Sequence, residues 1–210
     1  MSPSTVESPG SLWERRKIEA MSRIQRIALD LFDEHGYREV TVERVAAAAG
    51  VSPSSIYRYF GTKEMLVLYD EADPQILEVL RTAGNEGVTE TGELLALLRT
   101  LAPLLIDSLI TPELERRTRM RMQHVRTYPE VRDRQTRQMR ELEDQFRTLL
   151  AERIGRDVND LRLRLAVATG IWGCMAALDH WAGTDFGTPL REVYTEAFAS
   201  ILPAVEAAIG

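Results

Sequence analysis

The chain has 210 residues, 44% hydrophobic and 28% charged, with one cysteine and a net charge of −6. That length can bury one generous core or two packed units with no disulfide or metal. The lone Cys174 offers neither an intramolecular bridge nor a metal framework, which fits a reducing compartment. No uninterrupted apolar run reaches the roughly 18 to 20 residues of a membrane span, and the Ser/Pro/Gly-rich start lacks a signal pattern. The expectation is therefore a cytoplasmic chain without a membrane partner.

In chain order, residues 1–13 lack periodicity and are expected to form a flexible tail. From Glu14, the residues Ile18, Met21, Ile24, Ile27, Ala28, Leu31 and Phe32 recur every three or four positions, predicting an amphipathic helix that Gly36 ends. Thr41, Ser52, Thr62, Thr111 and Thr188 each precede a helix-like run and are expected N-caps, several with proline at the first helical position. Helices are predicted over 42–49, 53–59, 63–71, 75–83, 91–109, 113–126, 129–154, 160–182 and 189–208, and Pro103 should kink or split its segment. No run competes as a strand, so the fold class is all-α. The chain is expected to divide into a helical head, 14–71, and a longer helical body, 72–210, with Gly84–Gly92 as a loop-like connection.

The most informative segment runs from Thr41 to Phe60, where two short helices flank a tight turn. Val42, Val45, Ala46 and Ala49 share one face, Gly50 suits a left-handed turn, Val51 plugs the corner, and Ile56 with Phe60 anchor the second helix. Ser54, Ser55, Tyr57, Arg58 and Tyr59 are left outward or flanking, a set able to donate to phosphates and base edges. Lys63 follows, placed for a phosphate. Overall acidity argues mildly against nucleic acid, but residues 1–70 hold nine Lys and Arg against ten Asp and Glu, and Arg15, Arg16 and Lys17 cluster.

Phe32, Gly36, Thr41, Val45, Ala46, Ala49, Gly50, Val51, Ser52, Tyr57, Phe60, Lys63, Glu64 and Leu66 together closely resemble the N-terminal domain of the TetR family of regulators, over roughly residues 15–68. The resemblance implies an all-helical homodimer, usually a repressor of double-stranded operator DNA, whose body binds a small-molecule effector and then releases the DNA. It implies DNA roles for Thr41, Ser54, Ser55, Tyr57, Arg58, Tyr59 and Lys63, and a cytoplasmic protein that is nucleoid-associated when bound. Pro53 at the start of the second helix departs from the family pattern, and Arg58 and Tyr59 stand where the family varies.

Past residue 72 the likeness weakens. Tyr128 to Phe146, Asp160 to Leu165 and Leu178 to Trp181 resemble the subgroup whose C-terminal domain is described as binding acyl-CoA-like ligands, including regulators of mycofactocin type. Arginines and methionines interleave over 113–140, and two readings stand side by side. In one, Arg119, Met120, Met122 and Met139, with Trp172 and Met175, line a chamber for an acyl-CoA or fatty-acid-like effector. In the other, the arginines are solvated faces balanced by Glu113, Glu115, Glu130, Asp133, Glu141, Glu143 and Asp144. His124 and His180 lack a second ligand at metal spacing. Ala166, Gly170, Gly173 and Ala177, with Phe198 and Leu202 of the last helix, are the expected dimer interface, the alternative being packing within one chain, and the pairing of final helices that the family resemblance implies favours the dimer. No cofactor and no catalytic constellation is indicated. An enzyme using the body's apolar pocket, or an architectural DNA binder without an effector, are the alternative classes.

Overall fold

The computed structural model describes residues 9–70, 76–77 and 91–209. Most of the expected helix at 75–83 and nearly all of the 84–92 connection lie outside those residues. The fold is all-α, and contacts divide the chain into two compact units, 1–71 and 72–210.

In the first unit α1 covers Pro9–His35, α2 Val42–Ala49, α3 Pro53–Phe60 and α4 Glu64–Leu68. Helix α1 begins inside the segment expected to be a flexible tail. Proline tolerates a first-turn position because its missing N–H has no helical acceptor there. The helix buries Met21, Ile24, Ala28, Leu29 and Phe32, and it ends at Gly36, where φ is +85°. One polar residue shares the buried stripe: the Gln25 amide nitrogen donates to the carbonyls of Val67 and Tyr69, tying α1 to the end of α4. Tyr37 packs edge-on against Phe32, with ring centroids 5.1 Å apart.

The second unit has α5 over Thr91–Leu109, α6 over Pro112–Thr127, α7 over Pro129–Ile154, α8 over Leu161–Gly183 and α9 over Leu190–Ile209. Helix α5 runs through Pro103 as one helix, so of the expected kink or split the split does not occur, and α9 likewise contains Pro203. A lost backbone bond costs about 3 kcal/mol in an exposed helix, so flanking burial at Ala102 and Ile106, and at Ile201 and Ile209, offsets it. Two apolar clusters sit at opposite ends of α8. Leu163, Ala166 and Val167 pack with Leu150, Ala151 and Ile209, while Trp181 packs with Ile106, Ile110 and Leu190. The indole of Trp181 is fully buried, and its N–H reaches the Thr188 carbonyl at 2.7 Å.

Helix α8 is long and apolar enough to cross a membrane by length and composition, although no uninterrupted apolar run was expected. Arg162 and Arg164 interrupt it, and it packs chiefly on α9 and α7.

Candidate nucleic-acid interface and ligand cleft

Helices α2 and α3 are held by three local devices that the sequence encodes directly. The Thr41 hydroxyl accepts from the Arg44 N–H at 3.3 Å and starts α2. Gly50, at φ 65° and ψ 35°, ends it: Val51 N–H returns to the Ala46 carbonyl at 3.0 Å and Gly50 N–H to that of Ala47 at 3.2 Å. This left-handed closure satisfies carbonyls that a helix end would otherwise leave orphaned. Ser52 then caps α3, accepting from the Ser55 N–H at 3.2 Å. Its hydroxyl also lies 2.8 Å from that of Ser54 and 2.9 Å from that of Ser55.

Residue spacing sets what α3 presents. Ile56 and Phe60, four apart, are buried and clamp the helix to the head, as are Val42, Val45, Ala46 and Ala49 of α2. Ser54, Tyr57 and Arg58 are consequently exposed, as is Thr41, while Ser55, Tyr59 and Lys63 are half-buried. The Arg58 guanidinium lies over the Tyr59 ring at 5.1 Å. Lys63 precedes α4, with its ammonium 4.4 Å from the Tyr37 ring centroid and 5.8 Å from that of Phe32. Thr62 is not the cap of α4, because Lys63 occupies that position in helical conformation with no side-chain cap bond.

Two head features escaped the sequence reading. Arg23 of α1 donates to the Ala49 carbonyl at 2.9 Å, bracing α1 against the turn between α2 and α3. Gln25 is the other. A polar residue between Ile24 and Ala28 of the apolar stripe was its only trace.

In the body, an open cleft of about 520 Å³ lies where the end of α5, the start of α6 and the start of α9 meet. It is lined by Ile110, Pro112, Pro189, Arg116, Arg119 and Arg191, with Glu115 and Glu192. Arg119 also stacks over the Phe186 ring at 4.9 Å. Arg191 reaches the Asp107 carboxylate and donates to the Ile110 carbonyl at 2.9 Å, closing one wall. Of the six residues expected to line a ligand chamber, Arg119 alone borders this cleft. Met120 accepts from Arg116 at 3.4 Å, Met122 is buried against Gln135, and Met175 is buried in α8. Met139 is half-buried, and exposed Trp172 donates its indole N–H to Glu143 at 3.0 Å. Several arginines of α6 and α7 have carboxylate partners: Arg116 and Arg117 meet Glu113, Arg119 meets Glu115 and Arg134 meets Glu141.

Two of the small residues expected at a dimer interface take part in packing within the chain. Ala166 is 3% exposed inside the α7–α8–α9 core. A Cβ on Gly173 would lie 2.8 Å from Ile201, so this glycine lets α8 and α9 of one chain approach. Gly170 faces open space, and Ala177, Phe198 and Leu202 are half-buried, Phe198 against the Trp181 cluster. The exposed apolar residues of this helix pair are Leu161, Leu165, Trp172 and Ala176 on α8 and Ala199, Pro203, Ala204 and Ala207 on α9, alongside exposed charged residues such as Arg162, Arg164, Glu192 and Glu196.

The head is a capped helix-turn-helix and the body is all-helical, and comparison with known proteins gives the class. Residues 24–69 match the family of bacterial regulatory proteins, tetR family, and residues 107–206 match the MftR C-terminal domain. The chain belongs to the TetR family. It is 39% identical over 87 residues to the HTH-type transcriptional regulator TcmR of Streptomyces glaucescens, an alignment covering 39% of this chain and 38% of that one. The chain thus spans well under half the length of that curated relative. Among solved structures, NalD of Pseudomonas aeruginosa, the secondary repressor of the MexAB-OprM multidrug efflux pump, superposes with a TM-score of 0.55 at 18% identity, covering 89% of this chain and 96% of NalD. The fatty acid degradation regulator FadR of Bacillus halodurans gives 0.51 at 23% identity, covering 87% and 94%. At these identities the likeness is one of fold.

Proposed function

We propose that the protein is a transcriptional repressor that binds a palindromic operator as a homodimer and is released by a small apolar or acyl-type effector. The observation carrying this reading is the two-sidedness of α3. Ile56 and Phe60 hold it rigidly while Ser54, Tyr57 and Arg58 stand exposed on a helix short enough to enter a major groove. Arg58 suits guanine, the serines and Thr41 suit phosphates or base edges, and Tyr57 suits a phosphate or a thymine methyl. Lys63, drawn toward Tyr37, acts at the edge of this surface.

Homodimerisation is supported by the exposed apolar and small residues of α8 and α9, which suit a four-helix contact between two copies. Effector binding is supported by the arginine-rich cleft, where guanidinium groups would meet an anionic head beside the apolar rims of Ile110, Pro112 and Pro189. The match of residues 107–206 to the MftR C-terminal domain is in keeping with the mycofactocin-type resemblance of the sequence, from which the acyl-CoA-like effector is inferred.

Selection of bound duplexes from a random pool, repeated with acyl-CoA thioesters of increasing chain length, tests the whole reading. An enriched inverted repeat whose recovery falls with one thioester is expected. Recovery of no preferred sequence sinks the repressor reading. Linkage adds a check: an effector that weakens operator affinity by some factor must itself bind the operator complex more weakly by the same factor.

A further inference from the structure

We propose that the N-terminal half of α1 is a second, sequence-independent DNA contact, in which Arg15, Arg16 and Lys17 meet phosphates flanking the base pairs that α3 reads. This rests on the DNA-binding reading above. Fifteen residues of α1 precede residue 24, where the match to the family begins, and at 1.5 Å per residue they extend about 22 Å. The described side chains before Met21 are not buried: Trp13 is 62% exposed, Arg15, Arg16 and Glu19 are exposed, and Lys17, Ile18 and Ala20 are half-buried. The head's core therefore does not account for this part of the helix.

Its placement follows from two anchors. Gln25 fastens α1 to the carbonyls of Val67 and Tyr69, and Arg23, two residues earlier, to the Ala49 carbonyl at the turn that leads into α3. Two residues apart, these bonds hold nearly opposite faces of one turn of α1, with Arg23 on the face that meets the end of α2, and the helix continues N-terminally from there. Arg16 is seven residues before Arg23, two helical turns, on the same face and about 10 Å further along the axis. Lys17 is held over the Trp13 ring at 5.5 Å, which keeps its ammonium near the helix rather than swinging freely. Residues 13–19 carry three cations against Glu14 and Glu19, a net +1 in a head whose first 70 residues sum to −1. Cations brought against a polyanion with one charge per ~1.7 Å of axis release counterions, which favours binding without regard to base sequence.

The test uses the full-length chain, a duplex selected by the wild type, and a non-selected duplex of equal length. Affinity is measured by anisotropy across a salt series. Arg15→Ala, Arg16→Ala and Lys17→Ala combined leave an alanine-rich helix, so circular dichroism should match the wild type. The expected result is a salt slope shallower by about two to three per protomer, with both duplexes weakened by the same factor and sequence preference intact. Glu19→Gln should shift both affinities the other way. An unchanged slope and affinity in the triple variant, with the wild type binding normally, overturns this inference and leaves the repressor reading standing. A wild type that binds neither duplex overturns both. If the triple variant instead loses binding to phosphatidylserine vesicles while its DNA slope is unchanged, the patch serves a lipid surface and the proposal fails.

Discussion

Replacing Ser52 by alanine removes one oxygen and three contacts: the cap on the Ser55 N–H and the links to the Ser54 and Ser55 hydroxyls. Loss of the cap should cost ~1 kcal/mol, seen as a lowered urea midpoint at unchanged m-value, and Ser52→Thr should restore most of it. Arg58→Ala should leave stability alone. Under the proposed function it should weaken the selected operator by ~1–3 kcal/mol and relax preference at one base pair, which competition with single-base operator variants would show. Asp160 offers a pH test. Its carboxylate accepts from the Leu163 N–H at 2.9 Å at the start of α8, and that bond, aided by Arg156 and Arg162, holds its pKa below the usual carboxylate value. A depressed pKa stabilises the fold above the ordinary carboxylate range, and the contribution is lost as pH falls through the lowered value. Asp160→Asn keeps a capping oxygen without a titrating charge, so its thermal stability should lose less than the wild type's between about pH 5 and pH 2. Burial pushes the Cys174 thiol up to about 11, so alkylation at neutral pH should be far slower in the folded chain than in urea; equal rates would contradict that burial.

At the scale of helices, Gly173 and Ala176 make an informative pair. Three residues apart on α8, one abuts Ile201 of its own chain and the other is exposed. Gly173→Ala should destabilise the chain by ~1–3 kcal/mol through overpacking, and a thermal melt should show it whatever the oligomeric state. Ala176→Arg should leave the protomer folded and, if α8 and α9 form the contact between copies, give a monomer by gel filtration with light scattering. A stable dimer of Ala176→Arg removes this helix face from the proposed interface. The same pair shows what the sequence could and could not tell. Thr41, Ser52 and Thr111 were legible as caps because a hydroxyl three residues before an N–H is local chemistry, and all three make that bond. The helix-turn-helix was legible because its cap, glycine, anchors and exposed face all lie within about twenty residues. A small residue at Ala166 or Gly173 says only that something approaches closely. Whether the neighbour is α9 of the same chain or of another depends on contacts some thirty residues away. The methionine set was less legible for a similar reason: helical spacing gives a face but not what it meets, and Met122 and Met175 are buried while Met120 and Met139 are half-buried away from the arginine cleft.

For the whole molecule, the net charge of −6 means that attraction to a polyanion must come from local placement, since the average field repels. The dimer proposed for α8 and α9 would set two heads on a two-fold axis. It predicts half-sites whose major-groove centres lie about 34–36 Å apart or a multiple of a helical turn, readable as the spacing of the selected inverted repeat. Gln25 bears on how such a head could be moved to another body. Its side chain crosses from α1 to the last carbonyls of α4, so the head closes only once residues 67–69 are present. A chimera joined just after α3 would carry both helices of the helix-turn-helix yet leave this amide facing foreign backbone, whereas a junction after Asp70 transplants the donor and both acceptors together. Grafts of this head should therefore tolerate a change of body but not a cut ten residues earlier, although both cuts fall outside the helix-turn-helix itself.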